Sequence, residues 1–299
     1  MDQMERLNRK SIYKVDETIH DKMKSIYLSC PQAIKYCKSL NIPEEVIDKN
    51  IDIIYDFAMD INHCNKCQGI DNCVKENPLL CTRITYEDGF LERQLTPCKK
   101  LLEKMKVRNQ FIVMDFDDDW LNSDFTKLDK LKGREKAIKQ YLQYSKSGDS
   151  KWMYLNGEQN TGRSYVAASF VIDIAKKEKG PIAFVNCPLR LRQINQTNYK
   201  NPELYQKIVD QYSSVPVLVL DDFGNETIND NARDTIYEIL NRRAGSRLFT
   251  IFTSNLTIEE IVNQYSTNKS TSVRAKQLGR ILENNIKEEI NLGEIGVYK

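Results

Sequence analysis

A glycine-bounded turn between an apolar run and a helical pattern constrains this chain more than any other stretch. Gly157 and Gly162 bracket the segment GEQNTGRS, which fits the pattern G-x-x-x-x-G-K-[ST] at every position except the lysine. Glycine at both places allows backbone N–H groups to close around a phosphate, and the following helix adds its positive N-terminal dipole. The sequence therefore predicts a strand, a phosphate-binding loop and a helix over 152–175, with Asn160 and Thr161 in the loop.

The apolar residues on either side support this interpretation. Met153, Tyr154 and Leu155 form a β-prone run, and apolar residues then recur at helical spacing until Gly180-Pro181. A match to this short pattern can occur by chance in a chain of this length. The strand-loop-helix context is what favours a nucleotide site.

The two residues after Gly162 carry the chemistry of such a loop. Ser164 stands where a hydroxyl group ligates Mg²⁺, whereas Arg163 replaces the lysine. A planar guanidinium is longer than an ammonium group and cannot sit identically between the β- and γ-phosphates. We therefore expect nucleotide binding to be retained better than turnover.

A second acidic motif follows about 60 residues later. The continuously apolar run Val215–Leu220 reads as a buried strand and ends in Asp221-Asp222. Asp221 is expected to hold Mg²⁺ through water, and Asp222 to orient or deprotonate the attacking water. An aspartate retracts this base by one methylene relative to a glutamate, which predicts slow hydrolysis. An acidic turn after a strand is common by itself, but its place after the loop favours the functional interpretation.

Two later polar residues complete the candidate catalytic set. Asn255 follows the strand predicted over 248–253, where it can position water against the γ-phosphate or cap the next helix. Lys276 and Arg280 share one face of a predicted helix. Such a face is usually solvated, but in a nucleotide switch it can reach the γ-phosphate of a neighbouring subunit.

Five cysteines lie within 35 positions in the first third of the chain. A structural zinc ion needs four tetrahedral ligands, and in a reducing compartment such clusters are metal ligands rather than disulfides. Cys64 and Cys67 can reach one ion from a tight turn. Cys81 and Cys98 come from segments distant in the sequence, which a shared ion would hold together. We predict that these four bind zinc, with reduced, unliganded cysteines as the alternative. The remaining candidates are Cys73, as first reserve, and His63.

Composition limits the class of protein and its location. The chain is 40% hydrophobic and 29% charged, with a net charge of +2, so contact with DNA requires a local patch. Weak candidates for that patch are Tyr199-Lys200, Tyr205–Lys207 and Arg242-Arg243. No run of about 18 apolar residues occurs and the N-terminus lacks the apolar core of a signal peptide, so we expect a cytoplasmic protein without membrane contact.

The order of patterns predicts two domains. Apolar stripes at helical spacing fill the first 60 residues, with Cys30 and Cys37 as buried thiols. Charge reverses at Asp115 and Asp117–Asp119, which fits a solvated linker. We therefore expect an N-terminal domain over 1–105, an acidic linker over 106–130 and a nucleotide-binding domain over 131–299.

The chain resembles the AAA+ ATPase domain of bacterial replicative helicase loaders of the DnaI/DnaC type on five groups of residues: Gly157 to Ser164, Asp221-Asp222-Phe223-Gly224, Ala232-Arg233-Asp234, Thr253-Ser254-Asn255 and Arg280. Its cysteine-rich region resembles the zinc-binding, helicase-interaction domain of the DnaI branch. The resemblance implies an α/β fold: a P-loop AAA+ domain with a central parallel sheet and no helical lid, preceded by a smaller, mainly helical zinc-binding domain.

The same resemblance implies a function. A family member is an ATP-controlled adaptor, using ATP or ADP, Mg²⁺ and Zn²⁺, that delivers the hexameric replicative DNA helicase onto single-stranded DNA during replication initiation or restart. It is expected to bind the helicase through 1–105, to meet other primosome proteins and to self-associate through the AAA+ domain. Carried over, Ser164 and Asp221 serve Mg²⁺, Asp222 the water, Asn255 the sensor role and Arg280 the arginine-finger role.

Two departures from the family pattern predict weak or absent ATPase activity: Arg163 replaces the lysine, and Leu282 stands where a second arginine is common. Two other interpretations stay open. One is a transposition-helper ATPase of the IstB type, which is not expected to carry the cysteine cluster. The other is a nucleotide-independent adaptor with a vestigial P-loop.

Overall fold

The computed structural model describes residues 17–75, 77–129, 132–266 and 269–293. The chain forms two compact units that divide between Glu103 and Lys104. The start of the predicted N-terminal domain, residues 1–16, lies outside the described residues. Within them, no helix is long and apolar enough to span a bilayer.

The first unit packs short helices against a β-hairpin. Its core includes Tyr27, Ile54, Phe57 and Ile84, and both Cys30 and Cys37 are buried, as predicted. The elements are α1 (Glu17–Leu28), α2 (Pro31–Ser39), α3 (Glu44–Lys49), α4 (Ile51–Asn65), β1 (Leu80–Glu87) and β2 (Phe90–Pro97). Helix α5 (Lys99–Arg108) runs across the division between the units.

The hairpin turns at Asp88-Gly89. Both residues have positive φ, 50° and 83°, which is the type I′ geometry that matches the twist of the flanking strands. The turn sets the register in which Glu87 pairs with Phe90. Phe90 is consequently presented at the tip of the hairpin, with 71% of its surface exposed.

The second unit is a parallel sheet with helices on both faces. The strands are β3 (Phe111–Met114), β4 (Trp152–Asn156), β5 (Ile182–Asn186), β6 (Val217–Asp221), β7 (Phe249–Ser254) and β8 (Ile286–Asn291). The helices are α6 (Lys132–Ser147), α7 (Arg163–Lys176), α8 (Cys187–Lys200), α9 (Pro202–Ser214), α10 (Asp230–Gly245), α11 (Ile258–Tyr265) and α12 (Lys269–Asn285). Two 3₁₀ turns, Asp118–Asn122 and Phe125–Lys127, follow β3.

The order of strands in the sheet is β3-β5-β6-β7-β4-β8, and every neighbouring pair is parallel. The central strands β4, β6 and β7 are buried along their whole length, as continuously apolar strands of a parallel sheet are expected to be. Because β4 and β5 follow each other in the chain but not in the sheet, the carboxyl ends near β4 form a crevice of the kind in which ligands bind. The predicted α/β fold with a central parallel sheet is confirmed.

Part of the segment that we expected to be an acidic linker, 106–130, belongs to this unit. Strand β3 pairs with β5, and Asp115 forms an ion pair with Arg190 while its own side chain is 9% exposed. Asp115 departs from the expected solvated state because its partner, Arg190, lies 75 residues away in the chain, whereas Asp117 and Asp119 are exposed.

Candidate functional site

The loop between β4 and α7 has the conformation that its glycines predict. Gly157 has φ 147° and Gly162 has φ 79°, both in the region that favours glycine. A Cβ atom on Gly157 would lie 3.1 Å from a backbone oxygen of the segment after β8. Asn160 also has positive φ, 65°, and the hydroxyl of Thr161 donates to the carbonyl of Glu158 at 2.9 Å. The result is a closed turn at the N-terminus of α7, which suits an anion.

Arg163 points into this turn. Its side chain is 7% exposed, and Nη2 lies 3.6 Å from Oδ1 of Asp222. Nη1 donates to the carbonyl oxygen of Gly157 at 2.8 Å. Burial lowers the pKa of Arg163 from its ordinary value, and the negative charges of Asp222 and Asp221 oppose that change. The cation at the phosphate position therefore already has a carboxylate neighbour.

Asp221 ends β6 beside the start of α7. The Thr253 hydroxyl donates to Oδ1 of Asp221 at 2.6 Å, and Ser164 is also hydrogen-bonded to this carboxylate. Burial raises the pKa of Asp221 above its ordinary value, and the two hydrogen bonds oppose the rise. A carboxylate and a hydroxyl oxygen side by side are ligands that Mg²⁺ prefers. Asp221 and Ser164 thus fit the magnesium role that the sequence predicts for them.

Asp222 follows in an unusual backbone conformation. Its φ is 55°, a left-handed value that is uncommon outside glycine and occurs at functional sites. The N–H of Asp222 donates to the hydroxyl oxygen of Thr253 at 3.0 Å, so Thr253 holds both acids. Sequence reasoning named Thr253 only as part of a strand end, because its contacts depend on the pairing of β6 with β7.

Arg163, Ser164 and Asp222 line an open cleft of 1630 Å³, together with Asn255. One wall of the cleft is the 120–129 segment after β3. Its Trp120 stacks on Phe116 with ring centroids 6.0 Å apart and meets the Tyr165 ring edge-on at 5.5 Å. The sequence analysis did not predict this wall, although the aromatic residues among the acids of the expected linker indicate a packed segment.

Arg134 of α6 ties this wall to the loop. Its Nη2 donates to the carbonyl oxygen of Thr161 at 3.0 Å, and its Nη1 pairs with Asp129. The arginine is 1% exposed, so its charge is compensated within the protein. The contact fixes the back of the phosphate loop.

The structure brings Asn255 into the cleft but not Arg280. Arg280 is exposed on α12 and lines a separate depression with Lys276, Glu283 and Glu289. A finger role for Arg280 would therefore have to act on the nucleotide of another copy of the chain.

Two of the four cysteines predicted to bind zinc lie close together. Sγ of Cys64, near the end of α4, lies 3.6 Å from Sγ of Cys81 on β1. Lys75 donates to Sγ of Cys81 at 3.2 Å. Cys67 follows Cys64 in a turn, and Cys98 accepts from a backbone N–H at 3.4 Å. Within the described residues, no group of three or more histidine, cysteine or acidic side chains is gathered for one ion.

The weak candidates for DNA contact have different environments. Arg243 is wholly buried and donates to Thr250 and to three backbone carbonyl groups at 2.7–2.9 Å, so it is a structural residue. Arg242 pairs with Asp210. Tyr199 is 83% exposed near the end of α8, which leaves it available to a ligand.

Comparison with known proteins agrees with this architecture. The family model described as IstB-like ATP binding protein matches residues 91–287. The replicative helicase loader DnaI of Bacillus subtilis (strain 168) is 23% identical over 251 residues, which is 81% of this chain and 80% of the relative.

Two solved structures share the fold. The crystal structure of the DnaI covers 61% of this chain and 97% of that chain, with a TM-score of 0.54 and 23% identity. A putative primosome component from Streptococcus pyogenes serotype M3 covers 65% of this chain and 97% of that chain, with a TM-score of 0.50 and 19% identity. The resemblance to AAA+ helicase loaders that the motifs predict is confirmed.

Proposed function

The chain belongs to the IstB-like ATP-binding protein family, and from that premise we propose that it is an ATP-controlled loader of the hexameric replicative DNA helicase. It delivers the helicase onto single-stranded DNA during replication initiation or restart. The observation that carries the proposal is the extent of the similarity to the DnaI relative. An alignment that covers 81% of 299 residues begins no later than about residue 58, so it includes the cysteine region as well as the nucleotide cleft.

Zinc belongs to this proposal. With Zn–S bonds of about 2.3 Å, two tetrahedral thiolate ligands lie roughly 3.8 Å apart, and the separation of Cys64 and Cys81 is 3.6 Å. Lys75 offsets part of the negative charge of the thiolates. These contacts support Cys64 and Cys81 as two ligands, and Cys67 and Cys98 complete the proposed set. Bound zinc then stabilises the fold of the first unit.

ATP acts as a control signal rather than as fuel for rapid turnover. Mg²⁺, when bound, would neutralise phosphate charge, with Ser164 as an oxygen ligand and Asp221 holding the ion through water. Arg163 in place of lysine, together with the short Asp222 side chain, supports weak or absent hydrolysis.

Contacts with DNA and with other copies of the chain complete the proposal. The exposed ring of Tyr199, followed by Lys200, suits stacking and phosphate contact with single-stranded DNA. Arg280, outside its own cleft, suits self-association through the AAA+ domain and its finger role in a neighbouring subunit. Other primosome proteins are further expected partners.

The test is native mass spectrometry of the full chain mixed with the replicative helicase from the same source, with and without ATP. A defined complex is expected. Phe90→Ser, on the exposed hairpin of the first unit, should weaken the complex, whereas the matched control Tyr199→Ser, on the second unit, should retain it and instead weaken single-stranded DNA binding in fluorescence anisotropy.

The same measurements separate the alternatives. Absence of a helicase complex in every nucleotide state, with binding to duplex DNA, would favour the IstB-type transposition helper. A complex that forms equally with and without ATP, with no thermal shift on adding ATP and Mg²⁺, would favour the nucleotide-independent adaptor. A ligand at 100 times its dissociation constant stabilises a fold by roughly 2.7 kcal/mol, so the shift is measurable.

A further inference from the structure

Arg163 uses its two terminal nitrogens for two different parts of the cleft. Nη1 donates to the carbonyl oxygen of Gly157 at 2.8 Å, and Nη2 lies 3.6 Å from Oδ1 of Asp222. A lysine has one terminal nitrogen on a shorter side chain, and a point charge cannot bridge both positions in this way. The arginine thus connects the phosphate loop with the acidic turn after β6.

The carboxylate partner is held in place by its backbone. The N–H of Asp222 donates to Thr253 Oγ1 at 3.0 Å, and its carbonyl accepts from the N–H of Asn225 at 3.1 Å. Its φ of 55° is a conformation that a non-glycine residue keeps only where its surroundings impose it. The side chain is 36% exposed toward the cleft, so a ligand entering the cleft can reach the ion pair.

We propose that Asp222 and the γ-phosphate of a nucleotide compete for Nη2 of Arg163, which makes Arg163 a specificity-determining residue for nucleoside triphosphates. Without a γ-phosphate, Arg163 holds Asp222. A γ-phosphate takes over that nitrogen, and the freed carboxylate turns to the water beside the terminal phosphate. This inference rests on the proposed nucleotide function of the cleft and adds the means by which the cleft distinguishes ATP from ADP.

The competition has a measurable consequence. Binding of ATP breaks the contact with Asp222, whereas binding of ADP leaves it in place because ADP has no group at the γ position. Removing the carboxylate should therefore raise affinity for the triphosphate selectively. General loss of a negative charge in the cleft should instead raise affinity for both nucleotides, because it acts through the field and not through Arg163.

The experiment is isothermal titration calorimetry of the full chain with Mg²⁺ and either ADP or a triphosphate analogue that is not hydrolysed. Asp222→Asn is expected to bind the analogue about fivefold more tightly, equivalent to roughly 1 kcal/mol, and ADP with less than a twofold change. Glu158→Gln, which removes one negative charge from the same cleft, is the charge-matched control; its gain acts through the field, so the changes in affinity for the two ligands should agree to within about twofold.

The Arg163→Lys background provides the decisive comparison. There, Asp222→Asn should no longer improve binding of the analogue, since the lysine does not reach the carboxylate. An equal gain in both backgrounds, or no gain in the wild-type background, overturns the proposal. If Arg163→Lys does not fold, as judged by circular dichroism, the contrast between the analogue and ADP in Asp222→Asn alone decides the matter.

These outcomes are independent of the loader assignment. An intact contrast between the two nucleotides, together with no helicase complex, would overturn only the loader function. A helicase complex without that contrast would overturn only the competition for Arg163. A wild-type chain that binds neither nucleotide overturns the competition directly and leaves the complex with the helicase to be measured.

Discussion

Replacing Thr253 by valine tests whether one hydroxyl group organises both acids of the cleft. Thr253 lies at 0% exposure in β7. Its hydroxyl donates to Asp221 Oδ1 at 2.6 Å and accepts from the N–H of Asp222 at 3.0 Å. Valine has nearly the same shape but can do neither, so the change removes two hydrogen bonds without opening a cavity.

The structure sets the size of the expected effect. Loss of a hydrogen bond to a charged group costs about 1.5–3 kcal/mol, and a buried donor left without an acceptor costs about 1–3 kcal/mol. We expect Thr253→Val to lower the free energy of unfolding of the second unit by roughly 3 kcal/mol. The carboxylate of Asp221 also loses a donor that opposes its raised pKa, so affinity for Mg²⁺-nucleotide should fall.

Urea unfolding followed by tryptophan fluorescence measures this effect in the appropriate unit. Both tryptophans of the chain, Trp120 and Trp152, lie in the second unit, so their signal does not depend on two-state unfolding of the whole molecule. Thr253→Ser, which keeps the hydroxyl, is the control and should stay within about 1 kcal/mol of the wild type. A stability of Thr253→Val within about 0.5 kcal/mol of the wild type, with unchanged nucleotide affinity, would refute the reasoning.

Three further substitutions test other parts of the structure. Burial raises the pKa of Glu226 above its ordinary 4.5. The contribution of Glu226 to the free energy of unfolding is therefore greatest below that value and falls as the pH rises through the raised pKa. Glu226→Gln should flatten this pH dependence in urea unfolding from about pH 4.5 to pH 8. Arg243→Met leaves four buried oxygen acceptors without their donor and should cost about 3–5 kcal/mol, whereas Arg242→Met, at an exposed pair, should cost less than about 1 kcal/mol in the same assay. Cys64→Ser should abolish zinc binding measured by inductively coupled plasma mass spectrometry; Cys73→Ser should retain it, and zinc retained in Cys64→Ser would contradict the proposed ligand set.

The parts of the cleft that could be predicted from sequence are those formed by neighbours along the chain. Gly157 and Gly162 determine the loop because only φ values above zero close it. The apolar run before Asp221 predicts a buried strand, and the structure gives β6 as Val217–Asp221. The N-cap of α11 is Thr257, in a capping box with Glu260, and not Asn255; the helix expected there is also a local feature.

The parts that could not be predicted depend on which strands are neighbours. Asp115 looked solvated because its partner, Arg190, follows β5, and only the pairing of β3 with β5 brings the two together. Arg243 looked like a surface residue beside Arg242, but its guanidinium is buried and donates to backbone carbonyl groups, and burial lowers its pKa to about 9. The sequence around a charged residue in the last turn of a helix does not indicate where its hydrogen-bond acceptors lie.

The contacts that link the residues of the cleft to one another also depend on which strands are neighbours in the sheet. Ser164 contacts Asp221, Thr253 contacts both Asp221 and the N–H of Asp222, and Asp222 reaches Arg163, the residue before Ser164. The contacts therefore form a closed ring that joins the ends of β6 and β7 to the start of α7. In such a ring, a change at Arg163 affects Asp221 by two paths, one through Ser164 and one through Asp222 and Thr253. The effects of substitutions within the ring on stability and binding are therefore not additive. A nucleotide that displaces Asp222 from Arg163 thereby acts on Asp221 as well, which is how one cation in the phosphate loop can link the bound nucleotide to the state of both acids.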